Sequence, residues 1–125
     1  MAKRILVVED NDLNRRLFCD VLSAKGFAVE GVGDGETALD AARGLAPDLI
    51  VMDINLPNVS GLDLIAQAKA DAALSQVPVL AVTAYAGKGD EAKIREAGAD
   101  DYLAKPVSIG PFLAAVTALL PAGGA

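Results

Sequence analysis

The chain has 125 residues, of which 53% are hydrophobic, and this size suits one globular domain with one core. Seventeen acidic residues against eleven basic ones give a formal net charge of -6, so nucleic acid and anionic membranes would repel it, and its expected partners are proteins or cations. The chain has no histidine, so it cannot carry a phosphohistidine. It also lacks the side chain that is the commonest general base and the commonest transition-metal ligand.

The start of the chain has no predicted leader or membrane anchor. Only four apolar residues, 5–8, precede Glu9, which is too few for the core of a signal peptide, and no segment approaches a membrane span. The single cysteine, Cys19, lies in a helical pattern beside Phe18 and Val21, so we expect it to be buried and unreactive. These features predict a cytoplasmic protein that does not insert into membranes.

Short apolar runs alternate with amphipathic stretches five times, which is typical of an α/β domain with a mostly parallel sheet. The predicted strands cover residues 5–8, 28–32, 49–52, 79–82 and 102–104. Because the first, third and fourth lack polar alternation, we expect them to be buried on both faces.

Between these strands, apolar residues recur at helical spacing and predict core-facing stripes. They are Leu13, Leu17, Val21 and Leu22, then Leu62, Ile65 and Ala68, and later Phe112, Val116 and Leu119. Asp34 and Ser60 are predicted N-caps, and Gly26 and Gly98 follow predicted helix ends. The fourth helix, roughly 90–97, has little apolar surface, so we expect it to be lightly anchored and mobile.

Polar residues stand where the strands that look central end. Glu9 and Asp10 follow the first strand, Asp53 the third, Thr83 the fourth and Lys105 the fifth. Alone, each is more typical of a helix cap, a strand residue or a solvated charge. However, parallel strands bring their carboxyl ends to one edge of the sheet, where open sheets place their active sites. The pattern therefore predicts a functional site at this edge.

Three carboxylates held together raise one another's pKa unless a cation neutralises them. With no histidine and one cysteine, Mg²⁺ or alternatively Mn²⁺ fits this site better than zinc. Such an ion would also allow the Asp53 carboxylate to attack phosphorus. Lys105 would add a positive charge beside the phosphoryl group and Thr83 a hydrogen bond to it. We therefore predict that Asp53 accepts a phosphoryl group.

The chain resembles the receiver domains of two-component response regulators. The resemblance runs from about residue 4 to residue 120 and rests on the pair Glu9-Asp10, the segment 53–57 with Gly61 beyond it, Thr83-Ala84 and Lys105-Pro106. It implies a single receiver domain over 1–125 with a short flexible C-terminal tail. The implied fold is flavodoxin-like, with a doubly wound five-stranded parallel sheet in the order 2-1-3-4-5 and five helices.

The resemblance also implies the roles of individual residues. Asp53 would be the phosphoacceptor and a partner's phosphohistidine the donor. Asp10 would bind Mg²⁺ directly, Glu9 would help through water, and Asn55 would offer its backbone carbonyl. Thr83 would move toward the phosphoryl group and be coupled to Tyr102, which would shift the face formed by the fourth helix, fifth strand and fifth helix.

Within this family, the segments 7–11, 89–91, 94–96 and 105–108 look like a single-domain regulator of cell division, although Gly87 and Gly110-Pro111 depart from it. The implied protein is a monomer or weak dimer and a signalling phosphoacceptor rather than an enzyme. Because the sequence carries no output domain, we expect output by protein contact with histidine kinases or phosphotransfer proteins. Tyr85 and Tyr102 are candidate contact residues, unless they pack locally.

Three other functions fit less well. A flavodoxin-like nucleotide binder would need phosphate-binding donors where Glu9-Asp10 presents negative charge. A phosphatase with an aspartate nucleophile would normally have a second carboxylate at the position of Asn55. The third alternative is a binding module that has kept the fold and lost the chemistry, and the intact set of polar residues disfavours it.

Overall fold

The structure, a computed structural model, describes residues 2–57, 59–84 and 88–120, with the backbone alone at 88 and 89. Five strands alternate with five helices along these residues. In chain order they are β1 (Arg4–Val8), α1 (Asp12–Ala24), β2 (Ala28–Val32), α2 (Gly35–Leu45), β3 (Leu49–Asp53), α3 (Gly61–Ala70), β4 (Val79–Thr83), α4 (Lys88–Ala97), β5 (Asp101–Ala104) and α5 (Ile109–Leu119).

The strands form one parallel sheet in the order β2-β1-β3-β4-β5, so the predicted doubly wound fold is confirmed. β2 lies on one side of β1 and β3 lies on the other. The direction in which successive strands are added therefore reverses between β1 and β3. Val8 pairs with Met52 at this point. The residues that follow them, Glu9 and Asp53, therefore lie side by side at the crevice of the sheet.

Helices cover both faces of the sheet and bury its central strands. On one face, Leu6, Ile50 and Met52 belong to a core that includes Leu64 and Ile65 of α3. A second core lies on the opposite face and contains alternate residues of the same strands with residues of α1 and α5. Because both faces are covered, every residue of β3 and β4 is buried, as the uninterrupted apolar runs predicted.

Side chains and glycines mark the helix ends. The side chains of Asp34 and Ser60 accept hydrogen bonds from backbone N–H groups at the starts of α2 and α3, so both predicted N-caps are confirmed. Asn11 caps α1 in the same way. Gly26 and Gly98 have φ of 94° and 116°, a backbone conformation that favours glycine after a helix.

Four strands and the fourth helix are longer than the sequence predicted. β3 continues through Asp53 and β4 through Thr83, because parallel pairing joins Asp53 to Val82 and Thr83 to Ala104. Apolar patterning cannot detect these residues, since the hydrogen bonds come from the backbone. In the same way, β1 and β5 begin one residue earlier than predicted, and α4 begins at Lys88.

The prediction of a buried Cys19 was wrong. Its side chain is half-buried, because it lies near Gly31 of β2, and β2 is an edge strand with largely exposed side chains. Burial still raises the pKa of the Cys19 thiol, and a high pKa keeps a thiol protonated and poorly nucleophilic.

None of the helices in the described part of the chain is both long and apolar enough to cross a membrane. The predicted flexible tail, 121–125, lies outside the described residues, as do Tyr85 and Gly87.

Candidate functional site

Three carboxylates meet at the carboxyl end of the sheet. Asp53 is the last residue of β3 and is 2% exposed, and Glu9 follows β1 and is 1% exposed. Asp10 lies on the exposed rim beside them. One oxygen from each carboxylate lies within 4.8 Å of the other two. The structure therefore brings together the three acidic residues that the sequence predicted to converge.

Lys105 supplies positive charge to the two buried carboxylates. Its Nζ lies 3.2 Å from Oδ2 of Asp53 and 3.2 Å from Oε1 of Glu9. The backbone N–H of Lys105 donates to the carbonyl of Thr83 at 2.7 Å, which extends the β4–β5 pairing by one residue. This pairing places the lysine above the crevice, where its side chain can reach Asp53.

The two buried carboxylates have different pKa values. Burial, and after it the neighbouring Asp53, raise the pKa of Glu9 to about 7. Burial also acts on Asp53, but hydrogen bonds from Glu9 and from the N–H of Asn55, together with Lys105, lower its pKa below the ordinary value. Asp53 is therefore the more acidic of the two buried carboxyls.

The donor set fits a hard divalent cation. Oε1 of Glu9 is buried and, among the described residues, has no hydrogen-bond partner. Its ion-pair contact with Lys105 leaves coordination capacity unused, and Asp10 and Asp53 present further oxygens within reach. An all-oxygen site with partial exposure is typical of Mg²⁺, which retains water when it binds to proteins. The residues present therefore fit the ion that the sequence predicted.

Asn55 has a side-chain contact that sequence reasoning missed. Its N–H donates to Oδ1 of Asp53 at 2.9 Å, while its own Oδ1 accepts a hydrogen bond from the N–H of Ala84 at 2.7 Å. The amide thus connects the loop after β3 to the residue that follows Thr83. The role of the Asn55 carbonyl as a metal ligand stays a prediction.

Thr83 lies on the strand next to Asp53. It is the last residue of β4, is 2% exposed, and pairs with Ala104 of β5. Because β4 neighbours β3, its position agrees with the predicted group of polar residues at one sheet edge. Its role in contacting a phosphoryl group stays a prediction.

Tyr102 packs against the neighbouring helix α4. Its side chain is half-buried on β5, and the guanidinium of Arg95 in α4 lies 5.4 Å from the ring centroid. A hydrogen bond to Glu91 is the main reason that the pKa of Tyr102 is raised. Tyr102 therefore packs locally against α4, and its role as a partner-contact residue stays a prediction.

Gly61 allows α3 to begin close to Asp53. A Cβ at this position would overlap the carbonyl oxygen of Asp53 and Cα of Ile54. The N–H of Gly61 donates to the carbonyl of Ile54 at 3.2 Å, so the helix start is held against the turn that follows Asp53. A side chain would force this turn to move.

Comparison with known proteins places the site in a family context. The model of the response regulator receiver domain matches residues 5–117. The polar-differentiation response regulator DivK of Brucella ovis is 46% identical over 120 residues, which cover 96% of this chain and 98% of that protein. The Brucella abortus protein of the same name is equally similar.

Solved structures agree in fold. The chemotaxis protein CheY4 of Vibrio cholerae superposes with a TM-score of 0.91 over 96% of this chain and 100% of that one, and at 24% identity it supports the fold alone. The receiver domain of the sensor histidine kinase PA1611 from Pseudomonas aeruginosa is 33% identical, with a TM-score of 0.86 over 95% and 98% of the two chains. That structure contains a magnesium ion coordinated in its active site cleft.

Proposed function

Because this chain belongs to the response regulator receiver domain family, we propose that it is a single-domain response regulator whose Asp53 accepts a phosphoryl group from a partner's phosphohistidine. The whole of 1–125 would act as one receiver domain. The observation that carries this proposal is the buried Asp53 with Lys105 at 3.2 Å and two further carboxylates beside it.

The proposed reaction assigns a task to each residue. Asp10, Asp53 and the Asn55 carbonyl would hold Mg²⁺, with Glu9 acting through water. The ion would cancel the repulsion between the Asp53 carboxylate and the incoming phosphoryl oxygens. An oxygen of Asp53 forms the new bond to phosphorus while the bond from phosphorus to the partner's histidine nitrogen breaks.

Two further side chains would stabilise the phosphorylated product. Lys105 already contacts Asp53, so its ammonium can pair with a phosphoryl oxygen without moving far. The Thr83 hydroxyl would donate a hydrogen bond to another oxygen. The partner's histidine leaves neutral after taking a proton from solvent. The protein would therefore work as a phosphoacceptor with slow autodephosphorylation, rather than as an enzyme that turns over a substrate.

Output would follow the movement of Thr83. Tyr102 of β5 packs against α4. A movement of Thr83 can therefore be passed to the face formed by α4, β5 and α5. The partners would be histidine kinases or phosphotransfer proteins in the cytoplasm. Because DivK is 46% identical along nearly the whole chain, we assign the protein to cell-division or polarity control. Gly110 and Pro111, both exposed at the start of α5, would alter the partner-binding face relative to such relatives.

Phosphorylation by a small-molecule donor tests the proposal. With Mg²⁺ and the donor, the wild type should gain one phosphoryl group by intact-protein mass spectrometry, and Asp53→Asn should gain none. Asp63→Asn, which removes an exposed carboxylate of α3, is the matched control and should be phosphorylated normally. Failure of the wild type to gain phosphoryl mass would refute the proposal. A phosphatase would instead release inorganic phosphate rapidly from the donor.

Partner identity needs a second experiment. Immobilised protein, phosphorylated or carrying Asp53→Asn, should retain different histidine kinases from a lysate of the source organism. A retained kinase, once purified and autophosphorylated, should transfer its phosphoryl group to the wild type. A kinase that transfers equally well to Asp53→Asn would contradict the proposed acceptor.

A further inference from the structure

Arg15 contacts the backbone of the acidic pair, whereas Lys105 contacts the Glu9 carboxylate, and sequence reasoning alone does not single Arg15 out. We propose that Arg15 is a positioning residue, which holds the backbone of Glu9 and Asp10 in the conformation that binds Mg²⁺. This inference rests on the proposed function, because it concerns the metal on which phosphoryl transfer to Asp53 would depend.

The guanidinium of Arg15 bridges the loop that carries the two acids. Its Nη1 donates to the carbonyl of Glu9 at 2.8 Å and lies 3.5 Å from the carbonyl of Asp10. Its Nη2 pairs with the carboxylate of Asp12, in the first turn of α1. Arg15 thus joins both backbone carbonyls of the acidic pair to the helix that follows them. The side chain of Arg15 is 24% exposed, so these contacts are partly shielded from water.

The loop needs such a support because its charges repel. Glu9 is tied to β2 through its N–H, which donates to the carbonyl of Val32 at 3.0 Å. Asp10 lies on the exposed rim, beyond the last paired residue of β1. One oxygen of Asp10 lies within 4.8 Å of one oxygen of Asp53, and the repulsion between the two carboxylates favours movement of Asp10 toward solvent. The Arg15 guanidinium holds the two backbone carbonyls and so opposes that movement. The carboxylate oxygens of Glu9 and Asp10 stay available to the metal.

Gly31 of the edge strand β2, and Gly33 directly after that strand, make room for Arg15. A Cβ at Gly33 would lie 2.6 Å from Nη1 of Arg15, and a Cβ at Gly31 would lie 3.1 Å from its Cγ. Neither glycine has a backbone conformation that requires glycine. The space beside β2 is therefore occupied by the arginine, and a methyl group at Gly33 would displace the guanidinium while leaving its charge on the protein.

Gly33→Ala is consequently the sharpest test, since it moves Arg15 without removing it. We expect calorimetry on the unphosphorylated protein to give a Mg²⁺ dissociation constant about tenfold higher than that of the wild type, the lower end of the loss seen when groups that support metal ligands are removed. The thermal midpoint in EDTA should change little. Gly44→Ala is the control, because its Cβ would meet nothing within 4 Å, and its Mg²⁺ affinity should be unchanged.

Arg15→Met removes the same contact by a second substitution and should also weaken Mg²⁺ binding. Arg16→Met removes the same charge from an exposed neighbour, and it should bind Mg²⁺ at least as tightly as the wild type, because a positive charge is lost. Arg15→Met should bind more weakly than Arg16→Met despite the equal charge. Combining Arg15→Met with Gly33→Ala should weaken binding no further than one change alone, since both remove the same contact.

These outcomes separate the inference from the proposed function. Unchanged Mg²⁺ affinity in Gly33→Ala, or equal affinities of Arg15→Met and Arg16→Met, would overturn the role of Arg15 and leave phosphorylation of Asp53 untouched. Wild type that binds no Mg²⁺ would overturn both. A parallel fall in the EDTA thermal midpoint and Mg²⁺ affinity, with additive effects in the double variant, would show a general structural role and would also overturn the inference.

Discussion

Lys105 connects the residue that would be phosphorylated to the rest of the site. Among the described residues it is the cation that pairs with both buried carboxylates, through Asp53 Oδ2 and Glu9 Oε1. These carboxylates can be held ionised by a bound divalent cation as well, so the lysine is not needed to create the nucleophile. Its proposed role is to fix where the phosphoryl group lies.

We therefore expect Lys105→Ala to be phosphorylated but to lose the coupling of phosphate to partner binding. The ratio of partner affinities with and without phosphate should fall to about one, because no fixed ammonium pairs with the phosphoryl oxygens. Mass spectrometry checks the phosphorylation and calorimetry with the partner checks the ratio. Lys25→Ala, at an exposed site after α1, should keep the wild-type ratio. Undiminished phosphate-dependent affinity in Lys105→Ala would refute this role.

Glu9 makes the metal-free protein sensitive to pH. Its pKa is about 7 in the folded protein against an ordinary value of 4.5, chiefly because of burial, so the folded state holds a proton that the unfolded state releases. The stability from this proton is fully present below pH 4.5 and is lost as pH rises through 7. Mg²⁺ binding favours ionised Glu9. The stabilisation of the folded protein by Mg²⁺ should therefore grow as pH rises from 4.5 through 7.

The expected result is a larger Mg²⁺-induced rise in thermal midpoint at pH 8 than at pH 6. Calorimetric melting with Mg²⁺ and with EDTA at both pH values measures the difference. Glu96→Gln, which removes an exposed carboxylate of α4, should behave as the wild type, whereas Glu9→Gln should abolish most of the pH dependence. An equal Mg²⁺ effect at the two pH values in the wild type would contradict the role of Glu9.

At the scale of elements, the start of α3 is packed directly on the end of β3. A methyl group on Gly61 would overlap backbone atoms of Asp53 and Ile54, which cannot rotate away as a side chain can. We expect Gly61→Ala to lower the free energy of unfolding by roughly 1–3 kcal/mol, as overpacking typically does, and to slow phosphorylation because Asp53 shifts. Urea unfolding and phosphorylation rates measure both effects.

A control for this change is Gly110→Ala in α5, where the added Cβ would contact nothing within 4 Å. This variant should be as stable as the wild type or slightly more so, since alanine is favoured over glycine in helices. Equal stability of Gly61→Ala and Gly110→Ala would mean that the loop after β3 relaxes freely.

The helix α4 is held by fewer buried side chains than α3. Among the α4 side chains that the structure describes, Ile94 alone is fully buried, whereas α3 buries Leu64, Ile65 and Ala68 as well as Gly61. Its mobility stays a prediction from sequence. We expect the backbone amides of α4 to exchange with deuterium at least tenfold faster than those of α3, because local opening exposes less apolar surface. Exchange rates that are the same in both helices would contradict this expectation.

At the scale of the whole molecule, the net charge of -6 governs how copies of the chain meet. Like charges repel at long range and salt screens this repulsion, so we expect a monomer or a weak dimer that forms more readily as salt is added. Sedimentation velocity in 10 mM and 500 mM NaCl, salt concentrations about fifty-fold apart, would measure the trend. A dimer that tightens at low salt would indicate attractive ion pairs between copies and would contradict the prediction.

The sequence by itself determined the family resemblance with its implied strand order, the buried central strands and the identity of the polar residues at the sheet edge. It could do so because burial on two faces leaves uninterrupted apolar runs, and because Asp53, Thr83 and Lys105 interrupt the pattern at strand ends. The N-caps Asp34 and Ser60 were predictable for a similar reason, since their chemistry acts within a few residues of the chain.

Only the tertiary structure decided contacts between residues distant in the chain. The hydrogen bond from Ala84 to the Asn55 side chain, the packing of Tyr102 against Arg95, and the space that Gly33 leaves for Arg15 depend on how neighbouring elements approach each other. Local patterning reports which face of an element is apolar, but it does not report which side chains meet across two elements. The difference in pKa between Glu9 and Asp53 is likewise tertiary, because it depends on burial and on Lys105, which lies 52 residues from Asp53.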